Sequence, residues 1–260
     1  MVFAWFSEIT QNQYHFLMQI TLNNLRKLFG DKVAVDIPSF TIDHGTILGL
    51  VGNNGAGKTT LFRLLLDLLR ADDGGVLFST VHGGASIDPA QSEDWKSLTG
   101  AFIDDSFLID FLTPEEYLDF IARVNNLPAI EWSNPASSVI APFIPFTGGE
   151  VFGQKKLIRD LSAGNKQKVG IISALFTRPE LVILDEPFNF LDPSGQNILK
   201  HLLLSYHEES GATILISSHN LQHTVEISSR IALMESGHII EDLPNTDASA
   251  ADSLREYFDR

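Results

Sequence analysis

A chain of 260 residues that is 44% hydrophobic can bury a substantial core, as one large domain or a domain carrying a subdomain, and is neither disordered nor fibrous. Its 33 acidic against 18 basic residues give a formal charge of -15, which argues against nucleic acid as the main partner, since a phosphate backbone is bound through Lys and Arg. The absence of cysteine excludes disulfides and thiolate metal sites and fits a reducing compartment.

Residues 1–19 carry several aromatics but no Lys or Arg, so they lack the charged start of a signal peptide. No apolar run approaches the roughly 18 to 20 residues of a membrane helix, so a membrane role must pass through a partner. From Met18 onward Ile20, Leu22 and Leu25 alternate with polar residues as in a strand. Residues 33–37 and 40–42 supply two more short strands, giving an antiparallel β opening. Phe29, followed by Gly30, reads either as an aromatic placed to stack on a nucleobase or as an ordinary half-buried strand residue.

Residues 46–51 form an apolar run suited to a buried strand, and residues 61–69 recur with helical spacing. Between them stand Gly52, Asn53, Asn54, Gly55, Ala56, Gly57, Lys58, Thr59 and Thr60, which spell the P-loop pattern in the strand, loop and helix setting it requires. A triphosphate needs many donors at close range, and glycines let the backbone turn and approach closely enough to supply them. The following helix adds its N-terminal dipole. Lys58 is placed to reach the β and γ phosphates, the Thr59 hydroxyl to ligate Mg²⁺, and Thr60 to support the α and β phosphates.

Residues 72–75 read as a turn, residues 76–81 as a strand, and residues 100–103 as another. Thr113, Pro114 and Glu116 then open a helix as N-cap, first helical residue and capping-box partner. From about 113 to 162 the chain reads as helical or irregular, a helical subdomain inserted in an α/β body. Leu161 to Lys168 introduces a further helix, where Ser162 and Gly164 present either a phosphate-binding helix terminus or a plain cap. The continuous apolar run 181–184 suits a parallel strand buried on both faces, and it ends in Asp185 and Glu186. Carboxylates at that end of an open α/β sheet lie where ligands bind: Asp185 to hold Mg²⁺, Glu186 to polarise an attacking water. Asp192 is a good N-cap for the next helix. His219 stands just past the strand 212–217, the one of eight histidines with such a strand-end position. A hairpin about residues 235–237 and a short helix over 248–258 complete the chain.

Taken in this order the pieces resemble the nucleotide-binding subunit of an ABC transporter, over nearly all of residues 18–241. The resemblance makes Gly52 to Thr60 the Walker A loop, residues 181–186 the Walker B strand with Glu186 as catalytic base, and residues 161–167 the signature. It makes Asp192 the D-loop aspartate, His219 the switch histidine and Phe29 the adenine-stacking aromatic. It carries Ser162 and Gly164 to the nucleotide of the opposite subunit in a head-to-tail dimer. The implied fold is α/β: a P-loop NTPase core with a parallel sheet flanked by helices, an N-terminal antiparallel β part and the inserted helical subdomain. The domain would span 18–260, with residues 1–17 as an extension.

The resemblance also implies ATP and Mg²⁺ as cofactors, and as partners a membrane permease and a second nucleotide-binding subunit, a homodimer in the ATP state. The chain would sit in the cytoplasm at the membrane face through its permease. Two departures stand out. The signature has Ala163 and Asn165-Lys166, a basic variant similar to single-cassette ABC-2-type exporter ATPases, which points to export. The position of the usual Q-loop glutamine, a ligand of the Mg²⁺ shell, is Asp104, with Asp105 as its rival. A soluble ABC-type ATPase is the other reading, although the long coiled-coil insertion and the second cassette of such proteins are absent. A P-loop GTPase lacks support, because Asn165-Lys166-Gln167-Lys168 has no aspartate to read the base.

Overall fold

The computed structural model describes residues 18–80, 86–219, 221–245 and 254. Residues 1–17 and the end of the expected strand at Val81 lie outside the described residues. So does the expected helix over 248–258, except for Leu254, which is buried against Val51, Ile231 and Leu233.

The alternating pattern at the start produces β1 (Met18–Phe29), whose inward residues Ile20, Leu22 and Leu25 are buried. The two short strands expected next are a single one, β2 (Lys32–Ile42), which runs through Pro38. Proline has no N–H to give to a ladder, and here it is tolerated because β2 is an edge strand with Pro38 exposed opposite a break at Asn24. β3 (Ile47–Val51) is buried along its whole length and leads through the glycine-rich loop into α1 (Lys58–Leu65), which starts earlier than the leucine spacing alone indicates. β4 (Asp73–Thr80) begins within the expected turn: Asp73 and Gly75 already pair with β1, and a bulge there absorbs the Gly74 conformation at φ 67°. β1, β2 and β4 form an antiparallel sheet in the order β2-β1-β4.

β5 (Thr99–Phe102) follows, and α2 (Pro114–Val124) opens with the capping box written in its sequence: Thr113 Oγ1 accepts from Glu116 N–H, and Glu116 Oε2 accepts from Thr113 N–H. Beyond it the chain is mostly irregular, with short 3₁₀ turns and α3 (Ile144–Thr147), until α4 (Ala163–Leu175). β6 (Leu181–Leu184), α5 (Pro193–Ser210), β7 (Thr213–Ser218), α6 (Leu221–Ile227) and the hairpin β8 (Arg230–Glu235) and β9 (His238–Pro244) complete the order.

The second sheet runs β5-β6-β7-β3-β8-β9, parallel except for the last strand. Side chains alternate across a strand, and β6 shows why its sequence is apolar throughout. Val182 and Leu184 pack on one side with Phe102, Val169 and Leu199, while Leu181 and Ile183 pack on the other with Phe62, Leu65 and Phe78. Each such buried side chain stabilises the fold by about 1.5–3 kcal/mol. The consequence for function is positional. The carboxyl ends of β3, β5, β6 and β7 come out side by side at one edge, and the phosphate loop, Asp104, Asp185, Glu186 and His219 follow directly from those ends.

Candidate functional site

The loop after β3 is shaped by its backbone. Gly57 holds φ 112° as N-cap of α1, and a Cβ there would lie 2.3 Å from the Ala34 carbonyl oxygen and 2.7 Å from Met234 Cε. Only glycine meets both demands. Asn54 to Thr60 line a cavity of 370 Å³ together with Lys32, Ala34 and Glu186, and Phe29 stands at its rim. Phe29, the last residue of β1, is 54% exposed, and Lys27 Nζ lies 5.8 Å from the ring centroid. Gly52 and Asn53 do not line the cavity; their carbonyls face Lys58 Nζ at 2.7 and 3.4 Å. Lys58 is buried, and its remaining charge partner is Glu186, with Oε1 at 3.6 Å.

Three residues from three parts of the chain meet behind Thr59, which lines this cavity. Thr59 Oγ1 on α1 donates to Asp185 Oδ2 after β6, and Ser217 Oγ on β7 donates to Asp185 Oδ1. Asp185 is 7% exposed, and burial pushes its carboxyl above the ordinary range; the Ser217 and Thr59 hydroxyls work against that shift, Glu186 adds to it, and Lys58 opposes it. A hydroxyl that lines the phosphate cradle, bonded to a neighbouring carboxylate, fits the few oxygen ligands a protein gives to Mg²⁺ beside a nucleotide. Among the described residues there is no cluster of three or more His, Asp or Glu side chains able to hold a metal without such help.

Glu186 is held on every side. Its Oε2 accepts from His219 Nδ1 at 2.8 Å and faces the His219 N–H at 3.3 Å. Its N–H donates to Ser217 Oγ at 2.9 Å, and its carbonyl accepts from Gln167 Nε2 at 3.2 Å. Its φ of 47° is one that a non-glycine residue seldom adopts. The side chain divides the phosphate cavity from a second one of 210 Å³, lined by Asp104, Asp105, Ala163, Gln167, Asp185 and Phe190 among others.

Asp104 therefore stands near the carboxylates, but its own oxygens are engaged. Oδ2 accepts from Arg63 Nη2 at 3.1 Å, and Oδ1 accepts from Ser106 N–H at 2.9 Å, which starts a 3₁₀ turn. Partial burial raises its pKa, yet the bonds from Ser106 and Arg63 outweigh that and leave the carboxyl below the ordinary range. Asp105 reaches the other way, to Lys166 Nζ at 3.7 Å.

Ser162 and Gly164 are not brought to the phosphate cavity of their own chain. Ser162 caps α4 by accepting from Asn165 N–H at 3.2 Å and is exposed. Gly164 permits a close approach, since a Cβ there would lie 2.6 Å from the Phe190 carbonyl oxygen. Asp192 caps α5 through Gly195 N–H at 3.1 Å and lines neither cavity. Sequence reasoning missed Ser217, Gln167 and Arg63. The serine pair at the end of β7 was a visible signal, because a polar residue closing a fully buried strand must find a partner; Gln167 and Arg63 had no such mark.

Residues 35–189 match the ABC transporter family. The chain is 33% identical over 224 residues to the bacitracin transport ATP-binding protein BcrA of Enterococcus faecalis, covering 86% of this chain and 68% of that protein. It is 33% identical to the ABC transporter ATP-binding protein YhaQ of Bacillus subtilis (strain 168), covering 84% and 68%. The dimeric ABC transporter cassette MJ0796 superposes with a TM-score of 0.74 at 20% identity, covering 88% of this chain and 99% of that one, a likeness of fold. The order of the elements, the family match over more than half of the chain and these relatives lead to one conclusion: the chain belongs to the ABC transporter family, as one of its ATP-binding, ATP-hydrolysing cassettes.

Proposed function

We propose that this cassette hydrolyses MgATP between two copies of itself, with Glu186 as the base, and drives outward movement of a substrate through a separate membrane permease. The observation that carries the reading is the position of Glu186, with Lys58 Nζ 3.6 Å from one carboxylate oxygen and His219 Nδ1 2.8 Å from the other, at the wall of the phosphate cavity. The Asn54 to Thr60 backbone and the N-terminus of α1 bind the phosphates, and Phe29 stacks on the base. Thr59 and Asp185 would hold Mg²⁺, which would offset the charge of the phosphates. Glu186 orients a water whose oxygen forms a bond to the γ phosphorus as the bond to the β,γ-bridging oxygen breaks. The water proton passes to Glu186, and ADP departs carrying the bridging oxygen. Lys58 leaves the Gly52 carbonyl and Glu186 to meet the phosphates, and His219 turns from Glu186 to the γ phosphate.

Ser162 and Gly164 act on the nucleotide of the second copy, a reading supported by the exposure of Ser162 and by the place of both residues at a 13-residue helix terminus away from their own cavity. Asp192 joins the D-loop contact between copies, and Asp104 adds an oxygen near the Mg²⁺ shell when it leaves Arg63. The helical subdomain is the inserted part at about 113–162 of a domain over 18–260. Phe107 and Phe111 precede it and Phe120 lies on its α2, and their exposures of 50%, 66% and 46% offer apolar side chains to a permease segment. Among the described residues no helix is long and apolar enough to cross a membrane, so the link to the membrane is that permease. The basic signature variant at Asn165-Lys166 supports export.

The deciding experiment is Glu186→Gln. It should keep ATP binding, lower turnover by about a hundredfold or more, and shift to a dimer on size exclusion when ATP is added. A further Ser162→Arg change should abolish that shift. Turnover at the wild-type rate in Glu186→Gln would refute the assignment of the base, and an ATP-indifferent monomer would refute the pairing of copies.

A further inference from the structure

We propose that Ser217 is a positioning residue for hydrolysis: a single buried hydroxyl that orients the carboxylate of Asp185 and fixes the backbone of Glu186. The inference rests on the reading of those two residues given above and deepens it. β7 lies between β6, which ends in the two carboxylates, and β3, which ends in the phosphate loop. Its register sets Ser217 beside Leu50 and sets Ile216 beside Leu184, so the serine is the first residue of β7 beyond the end of β6. It is fully buried, at 0% exposure.

The direction of its two bonds follows from chemistry. The Glu186 N–H can only donate, so at 2.9 Å the Ser217 oxygen accepts there. Its one hydrogen is then free for Asp185 Oδ1, which only accepts when ionised. Thr59 takes the other oxygen of Asp185 from the opposite side, so the carboxylate is gripped between α1 and β7. Glu186 keeps an unusual φ of 47° with its N–H tied to Ser217 and its carbonyl tied to Gln167. Conformations of this kind persist when their surroundings over-determine them. An apolar side chain at 217 would leave the Asp185 oxygen and the Glu186 N–H without a partner in a buried wall, where both the metal-side oxygen and the base would lose their aim.

The test compares Ser217→Ala, Ser217→Thr and Ser217→Val in the full chain. Valine has the shape of threonine without the hydroxyl, so the pair separates hydrogen bonding from bulk. Ser217→Ala and Ser217→Val should lower kcat by about 10- to 100-fold, the scale of one hydrogen bond to a charged group, and Ser217→Thr should recover most of it. A fluorescent ADP analogue supplies the readout apart from turnover: without Mg²⁺ its affinity should match wild type, and with Mg²⁺ it should weaken severalfold in Ala and Val only. Ser217→Val turning over as fast as Ser217→Thr would overturn the inference, as would an equal loss of ADP affinity with and without Mg²⁺. Should the larger side chains not be accommodated, Ser217→Ala removes the hydroxyl without adding bulk and decides the matter by its Mg²⁺-dependent binding. Full activity of Glu186→Gln would instead refute the underlying reading of the base; a dead Glu186→Gln with a fully active Ser217→Ala would refute this inference alone.

Discussion

The glycine-rich loop and the turn at Asp104 both open toward Asp185 and Glu186, but opposite forces hold them. The loop owes its shape to backbone geometry: Gly57 at φ 112° packs against the Ala34 carbonyl with no room for a Cβ. The turn owes its position to side chains, Asp104 reaching Arg63 on α1 and Asp105 reaching Lys166 on α4. Backbone close-packing has no alternative arrangement nearby, so a small insult there is severe. Half-exposed ion pairs are weak and exchangeable, which suits a segment whose charges change partners when a nucleotide arrives.

The sharpest way to break this contrast is Gly57→Ala. A methyl group 2.3 Å from a backbone oxygen at a positive φ must move the loop or the strand below it. Nucleotide affinity should fall by about a hundredfold or more, at a cost of over about 2 kcal/mol in stability. Titration with a fluorescent ADP analogue and a thermal melt measure both, and near-wild-type values would mean that the loop is far softer than its geometry. Phe29→Ala comes next. Losing a stacked base costs about 1–3 kcal/mol, roughly 5- to 150-fold in ATP affinity, while kcat at saturation should hold. An unchanged KM would return Phe29 to a surface role.

A smaller effect should follow from Asp104→Gln. Removing a negative charge near the γ phosphate should lower the Mg²⁺ needed for half activity by about twofold, because Arg63 already screens that charge in the wild type. The same change in an Arg63→Ala background should have the larger effect, and superimposable Mg²⁺ curves for all four proteins would leave Asp104 as a turn residue. The smallest expected effect is on stability. Asp104 has its carboxyl pKa lowered by folding, so its contribution is fully present above the unfolded value and fades as pH falls through the lowered folded value. With 36% of the side chain exposed, solvent screens that contribution. Urea unfolding of Asp104→Asn near neutral pH should therefore show a loss of less than about 1 kcal/mol, and the variant should converge with wild type in acid. Asp105→Asn, which loses only a 3.7 Å contact to Lys166, should change stability by no more than about 0.5 kcal/mol.

The elements most legible in the sequence were those whose signals are local. The capping box at Thr113 and Glu116, the N-caps Ser162 and Asp192, and the buried run of β6 stand where their spacing puts them. Local signals also misled where pairing decided the outcome: Pro38 does not interrupt β2, because an edge position excuses its missing N–H, and Asp73 to Gly75 join β4 through a bulge rather than a free turn. Phe29 was ambiguous because alternation cannot say which strand face is covered; its exposure is a property of what packs on β1.

By itself the sequence determined the phosphate loop, the strand-end carboxylates and the α/β order, since each depends on residues within a few positions of one another and on glycine or apolar spacing. Only the tertiary structure decided which side chains meet. Thr59 and Asp185 are 126 residues apart, Arg63 and Asp104 are 41 apart, and Ser217 reaches Asp185 across 32. No periodicity encodes those encounters. They exist because parallel strands end side by side, and strand order is chosen by how the whole core packs.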